Sequence, residues 1–185
     1  MAATESIMMP LGTKAPSFKL HDVVSNTNKS LTDIKSDKVT VVMFICNHCP
    51  YVKNIQKGLV DLTNEYLKKG VSFVAINPND PEKYPADSPE KMKEDADRLG
   101  YPFPYLFDET QEVAKAYGAV CTPEFYAFDG ELKCAYRGQF DDSRPHNGMP
   151  VTGVDLRKAL DAILTGDSVN PDQKPSLGCS IKWKN

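Results

Sequence analysis

Cys46-Asn47-His48-Cys49 is the stretch of this chain whose residue types and spacing can do chemistry. Two thiols with two residues between them can close into a disulfide and be reopened by exchange, and the attacking species is the thiolate. The stretch falls where a buried apolar run ends and a helical pattern begins. Unpaired N–H groups and the positive end of a helix dipole are therefore available to that anion. A motif folded into the first helical turn brings the sulfurs within bonding reach. On this reading Cys46 is nearest the helix start and is the expected nucleophile. His48 either supports its thiolate as a cationic neighbour or faces solvent without redox effect. Pro50 acts against a helical turn, since a residue before proline is held toward extended backbone, which would splay the two thiols.

The other cysteines, Cys121, Cys134 and Cys179, stand singly, so no second C-x-x-C completes a four-ligand zinc site, and neither a metal nor a cofactor is expected. Cys121, two residues before Pro123, is expected near the motif as a third thiol or as a small buried residue. Cys134 alternates in phase with Leu132 and Tyr136 and reads as core. Cys179 is a distal resolving thiol or a packed residue of the tail. Thr122-Pro123 leads from a loop into an apolar strand. The segment Gly138 to Pro150, with Asp141, Asp142, Arg144 and His146, lines a substrate rim or is simply solvated.

These residues meet only if the flanking elements share one sheet. Val39 to Ile45 is β-branched and apolar, as a central strand covered on both faces requires. Val52, Ile55, Leu59, Leu62 and Tyr66 recur at helical spacing before a stop at Gly70, and Val71 to Ile76 reads as a second central strand. Together they make a right-handed parallel βαβ unit. Four prolines between Asn77 and Pro89 impose a surface loop. A helix begins at Ser88-Pro89 and ends at Gly100, and Asp108 with Gln111 suggests a cap for a short helix from Thr110 to Tyr117. Phe125 to Phe128 and Leu132 to Tyr136 flank Asp129-Gly130, a dipeptide suited to a tight turn with positive φ. Phe18 to Leu20 is a short strand, Val154 to Leu164 a last helix, and Asp167 onward a Pro-punctuated tail.

With 22 Lys and Arg against 25 Asp and Glu, the net charge of −3 offers no electrostatic footprint for nucleic acid or an anionic membrane. Hydrophobic residues at 41% and charged residues at 25% exclude collagenous, disordered and disulfide-scaffold classes. No apolar run approaches the roughly 18 residues of a membrane span. MAATESIMMP lacks the basic start of a secretory signal, so cytoplasm is the expected compartment, and five cysteines read there as redox or core residues.

The succession strand, C-x-x-C, helix, strand, and then Thr-Pro ahead of an antiparallel hairpin resembles the thioredoxin-fold superfamily, whose proline is cis and packs against the redox motif. Gly12-Thr13-Lys14-Ala15-Pro16-Ser17-Phe18-Lys19-Leu20 resembles the start of the redoxin branch, which includes peroxiredoxins of the alkyl hydroperoxide reductase and thiol-specific antioxidant type. CNHCPYV, CTPEFYAFD and GCSIKWK together resemble a peroxiredoxin-like, thioredoxin-domain family over essentially the whole chain. The resemblance implies an α/β thioredoxin-like fold, a central mixed sheet flanked by helices, with residues 1–185 as one domain, 1–16 an extension and 167–185 a tail. It also implies a thiol-disulfide oxidoreductase. Cys46 attacks a protein or small-molecule disulfide and Cys49 resolves the mixed disulfide. Thr122 and Pro123 present backbone to the extended substrate, and an external thiol reductant regenerates the pair. Two departures stand out. Thr40 replaces the buried aspartate usual in thioredoxins, and Cys46 or Met43, depending on the register, stands where peroxiredoxins carry a hydroxyl. Two alternatives are a thiol peroxidase and a copper(I)-handling protein using Cys46, Cys49 and His48 or His146.

Overall fold

The apolar run after Lys38 becomes the centre of a seven-stranded mixed sheet. The computed structural model describes residues 3–184, so the outermost residues of the expected extension and tail lie outside the description. In chain order the strands are β1 (Ala3–Glu5), β2 (Lys19–Asp22), β3 (Thr27–Ser30), β4 (Val39–Phe44), β5 (Val71–Asn77), β6 (Tyr105–Phe107), β7 (Cys121–Thr122), β8 (Glu124–Asp129), β9 (Cys134–Gly138) and β10 (Leu177–Ser180). The helices are α1 (Leu31–Ile34), α2 (Pro50–Leu67), α3 (Pro89–Leu99), α4 (Glu112–Tyr117) and α5 (Val154–Thr165), with a 3₁₀ turn at Pro85–Asp87. The large sheet has the order β3-β2-β6-β5-β4-β8-β9. β4 runs parallel to β5 and β5 to β6, while β8 and β9 are antiparallel additions. Among the described residues no helix is long and apolar enough to cross a membrane.

Every residue of β4 is buried, because both faces of the sheet are covered. Val39, Val41 and Met43 pack with Val52, Ile55, Leu59 and Leu62 of α2 and with Leu156 and Leu160 of α5. Val42 and Phe44 face the opposite layer, with Ala114 and Tyr117 of α4 and Tyr126 and Phe128 of β8. The period of two along the strand feeds both layers at once.

The second, smaller sheet was not legible as such. The Pro-punctuated tail carries β10, which lies between β1 and β7 and pairs antiparallel with both. Gly178 makes this possible. A Cβ there would lie 1.9 Å from the Thr122 carbonyl oxygen, so only glycine lets the backbones approach.

Three local expectations are corrected. The positive φ of the β8–β9 turn falls on Leu132, at 60°, not on Gly130, and the Asp129 carboxylate accepts from the N–H groups of Glu131 and Lys133. Gly130 is needed for space instead, since a Cβ would meet the Asp37 carbonyl oxygen at 2.3 Å. The register shift between β8 and β9 puts Cys134 in one core layer and Tyr136 in the other, so the two do not share a face, although both are buried. The helix expected from Thr110 begins at Glu112. Asp108 accepts from Ala114 N–H, while Gln111, at φ 64°, sends its amide to the carbonyls of Pro78 and Lys182 in place of capping.

Gly130→Ala is expected to push the Asp37 segment off β8 and cost about 1–3 kcal/mol. A lower urea midpoint with an unchanged slope would show it.

Candidate active site

β4 delivers the chain to Cys46, and α2 begins only at Pro50, with Cys49 as its N-cap at φ −68° and ψ 124°. The proline therefore does what its chemistry requires. It holds the preceding residue extended and occupies the first helical position, where a missing N–H costs nothing. The motif is a loop ahead of the helix, not a first helical turn. Cys49 is the thiol nearest the helix start, reversing the order expected from spacing. Both cysteines are buried and no disulfide joins them.

The loop before β8 supplies the opposing surface. The Thr122-Pro123 peptide is cis. The Thr122 hydroxyl lies 3.3 Å from the Cys46 sulfur, and its carbonyl oxygen lies 3.2 Å from the Cys49 sulfur. One residue thus touches both thiols. Behind it, buried Glu124 accepts from Tyr126 Oη at 2.7 Å and Val120 N–H at 3.1 Å, and also from the Ser6 hydroxyl, tying the bend to the N-terminal segment. Cys121 points toward the Glu124 carboxylate, 3.7 Å away. Burial, then that carboxylate, pushes its thiol strongly up, so Cys121 is a neutral packing residue beside the site.

His48 does not lie free in solvent. Its Nδ1 bonds Asp87, and its ring stacks on Tyr84 with centroids 5.1 Å apart. Asp87, from the 3₁₀ turn in the proline-rich segment, is fully buried. It also accepts from Asn47 N–H at 2.7 Å, Asn79 Nδ2 at 2.9 Å and Asn77 Nδ2 at 3.3 Å. Burial raises this carboxyl, but the bonds from His48, Asn79 and Asn47 prevail and hold it below the usual carboxylate range. No motif flagged Asp87 in the sequence. It is nonetheless the buried acid of this site, while Thr40 sits elsewhere on β4, its hydroxyl accepting from Ser36 N–H.

The two thiols differ sharply in environment. Burial, then the neighbouring Cys49 and the negative Asp87, pushes Cys46 well up. The neighbouring Cys46 thiol, then, against the burial penalty, the nearby Cys179 thiol and the backbone N–H groups of Val52 and Cys179, favour the Cys49 anion and draw this thiol down to about 5. In its neutral form the Cys49 thiol donates to the Thr122 carbonyl. Of the two motif thiols, Cys49 is the one whose surroundings favour ionisation.

Ligand-type atoms of Cys46, His48 and Asp87 lie within 4.8 Å of one another. Asp87 already serves four donors, however, which leaves it positioning His48 and leaves two side chains for an ion, short of a closed site. His146 is exposed in the Gly138–Pro150 loop and takes no part in that group. The loop is not merely solvated, for Asp141 is buried and accepts from the N–H groups of Thr152 and Gly153, holding the loop to the start of α5.

Residues 11–140 match the AhpC/TSA family, and the chain belongs to that family. A Mycobacterium tuberculosis protein named as a peroxiredoxin is 30% identical over 123 residues, 66% of this chain and 73% of its own. The thiol-disulfide oxidoreductase ResA of Geobacillus thermodenitrificans is 26% identical, over 77% of this chain and 79% of its own. The crystal structure of an uncharacterized conserved protein from Geobacillus kaustophilus superposes with a TM-score of 0.98 at 65% identity, covering 100% of this chain and 97% of that one. With thioredoxin-fold oxidoreductases of 20% identity or less, at TM-scores of 0.63, the likeness is of fold alone, and it makes the fold thioredoxin-like.

Thiolate absorbance at 240 nm, followed against pH in the reduced protein, should rise in one step near pH 5. Cys49→Ser should abolish that step, and Cys46→Ala, which removes the largest donor, should move it up. An unchanged step in Cys49→Ser would reassign the anion. Asp87→Ala leaves His48 and the Asn47 N–H without their acceptor, and should lower stability by about 2–4 kcal/mol in urea unfolding.

Proposed function

We propose that the protein is a thiol-disulfide oxidoreductase in which Cys49 and Cys46 form the redox pair. The Cys49 thiolate attacks a disulfide sulfur of a protein or small molecule, and one substrate thiol departs. Cys46 then attacks Cys49 of the mixed disulfide, its proton passing to the second departing thiolate. The 46–49 disulfide is left for an external thiol reductant. The observation that carries this reading is the placement of the thiols: both are set against Thr122, and Cys49 is the N-cap of α2, in surroundings that favour its anion. His48 and Asp87 act as positioning residues. Their bond orders the loop between the two cysteines and places a carboxylate near Cys46, where it keeps the resolving thiol protonated until the second step. A cytoplasmic setting, where reduced thiols supply that reductant, belongs to the same reading.

A stabilised thiolate favours the reduced pair, which raises the midpoint above thioredoxin's roughly −270 mV. Equilibration with glutathione buffers, read by trapping Cys46 and Cys49, should show it. A midpoint at or below that value would remove the anion from the mechanism.

Side-by-side assays of insulin disulfide reduction and hydrogen peroxide consumption test the activity itself. Cys49→Ser should lose disulfide reduction by at least about 100-fold, and Cys46→Ser should accumulate mixed disulfides on Cys49. Fast, saturable peroxide consumption without disulfide reduction would replace this reading by a peroxidase.

A further inference from the structure

Three features around the redox pair bear on what it can reduce. The first is depth, since Cys46 is 1% exposed and Cys49 is fully buried. The second is the edge beside them. β10 pairs with β7, and Gly178 brings the tail backbone against the Thr122 carbonyl. Beyond the strand, Lys182 N–H donates to Asn79 Oδ1 at 2.9 Å, and its carbonyl accepts from Asp80 N–H at 2.9 Å. An extended polypeptide seeking the backbone of Thr122 would find it taken by the chain's own tail. A small disulfide needs no strand edge and meets no such competitor.

The third feature is a shallow cleft of about 260 Å³ that includes Pro123, next to Thr122, and is walled by Tyr51, Ile55, Phe140 and Leu177. That is below the roughly 300–1,000 Å³ of sites that enclose a drug-sized ligand, and it suits one end of a small molecule. Arg144 is the one cation lining it. This side chain is half-buried and held in place. Its Nη1 donates to the carbonyls of Asp141 and Ser143, both at 2.7 Å, and its Nη2 to Gln139 Oε1. Gln139 is fixed in turn, for Asp142 and Asp155 accept from its amide at 2.7 and 2.6 Å. Every partner of the guanidinium is therefore neutral. The carboxylates of the same loop are engaged elsewhere: Asp141 accepts from Thr152 and Gly153 N–H, and Asp142 pairs with Lys174 at 2.8 Å. With three guanidinium N–H groups used, the Nε–H and one Nη2–H have no partner among the described residues. A cation already ordered, with two donors left, binds a carboxylate at little further entropic cost.

We propose that the substrate is a small-molecule disulfide whose halves carry a carboxylate, and that Arg144 receives this carboxylate in the cleft beside Pro123 while the disulfide meets the redox pair. This rests on the reading of Cys46 and Cys49 as that pair. The two protein thiols give up two electrons and two protons and close to the 46–49 disulfide, while the substrate S–S bond breaks to two thiols. Arg144 makes and breaks no bond. It selects the substrate and orients it.

The test follows oxidation of the reduced full chain by the disulfides of N-acetylcysteine and of N-acetylcysteine amide, a carboxylate and a neutral probe of the same size, with oxidised glutathione and insulin alongside. Each rate is divided by that of the same disulfide with free dithiothreitol, which removes differences between leaving thiols. Wild type should favour the acid over the amide by about 10-fold. Arg144→Gln should bring this ratio close to one, and Arg144→Lys should keep part of it. The ratio is the readout, because a loosened loop slows both disulfides alike and leaves it unchanged. Circular dichroism checks the fold of each variant. A ratio near one in wild type, or a wild-type ratio in Arg144→Gln, refutes the inference while the redox pair stands. Faster oxidation by insulin than by the acid disulfide and by glutathione also refutes it. If wild type is oxidised by none of these compounds, the redox pair itself falls and takes the inference with it.

Discussion

Thr122 faces Cys46 with its hydroxyl, Cys49 with its carbonyl and the tail strand with its backbone, so three parts of the chain far apart in sequence are set by one residue. Its own position comes from below, where the Glu124 carboxylate collects the N–H of Val120 with the hydroxyls of Ser6 and Tyr126. A buried carboxylate is tolerable only when its oxygens are filled, and these are filled by the segments that must meet here. The sheet supplies rigidity, and this polar anchor decides where the loop stops.

A second buried carboxylate, Asp87, organises the other side. It gathers donors from the redox loop, from the end of β5 and from the loop after it, and so ties the proline-rich crossing to the motif. Electrostatics then separates two chemically identical side chains. Burial, the neighbouring Cys49 and the Asp87 carboxylate disfavour the Cys46 anion, while Cys49, at the helix start, lies where its anion is favoured. The difference comes from a few ångströms of placement within one buried pocket.

Much of this was legible in residues 39–76, where period-two and helical patterns coincide with the observed strands and helix to within a few residues. The candidate site was legible as a motif, while its internal order was not. Spacing alone placed the helix start at Cys46, and the influence of Pro50 on Cys49, visible in the sequence as a conflict, is what moved it. Asp87 had no signature because its role depends on a loop returning from β5 to the motif, a long-range contact that no local pattern encodes. The same holds for β10: Leu177–Ser180 has neither alternation nor β-branched composition, and it is a strand only because Thr122 offers an open edge and Gly178 permits the approach.

The pairing of β7 with β10 also sets an order of events during synthesis. Cys46, Cys49 and the Thr122 edge leave the ribosome well before the tail does, and the helix α5 must be made in between. A nascent chain therefore passes through an interval in which the sheet can assemble around uncovered thiols, since folding proceeds from the N-terminal side as residues appear. During that interval the site is open to any oxidant or disulfide in the surroundings. Covering of the motif waits until β10 has been made, and a pause in translation between α5 and β10 would lengthen the exposure without altering the folded product.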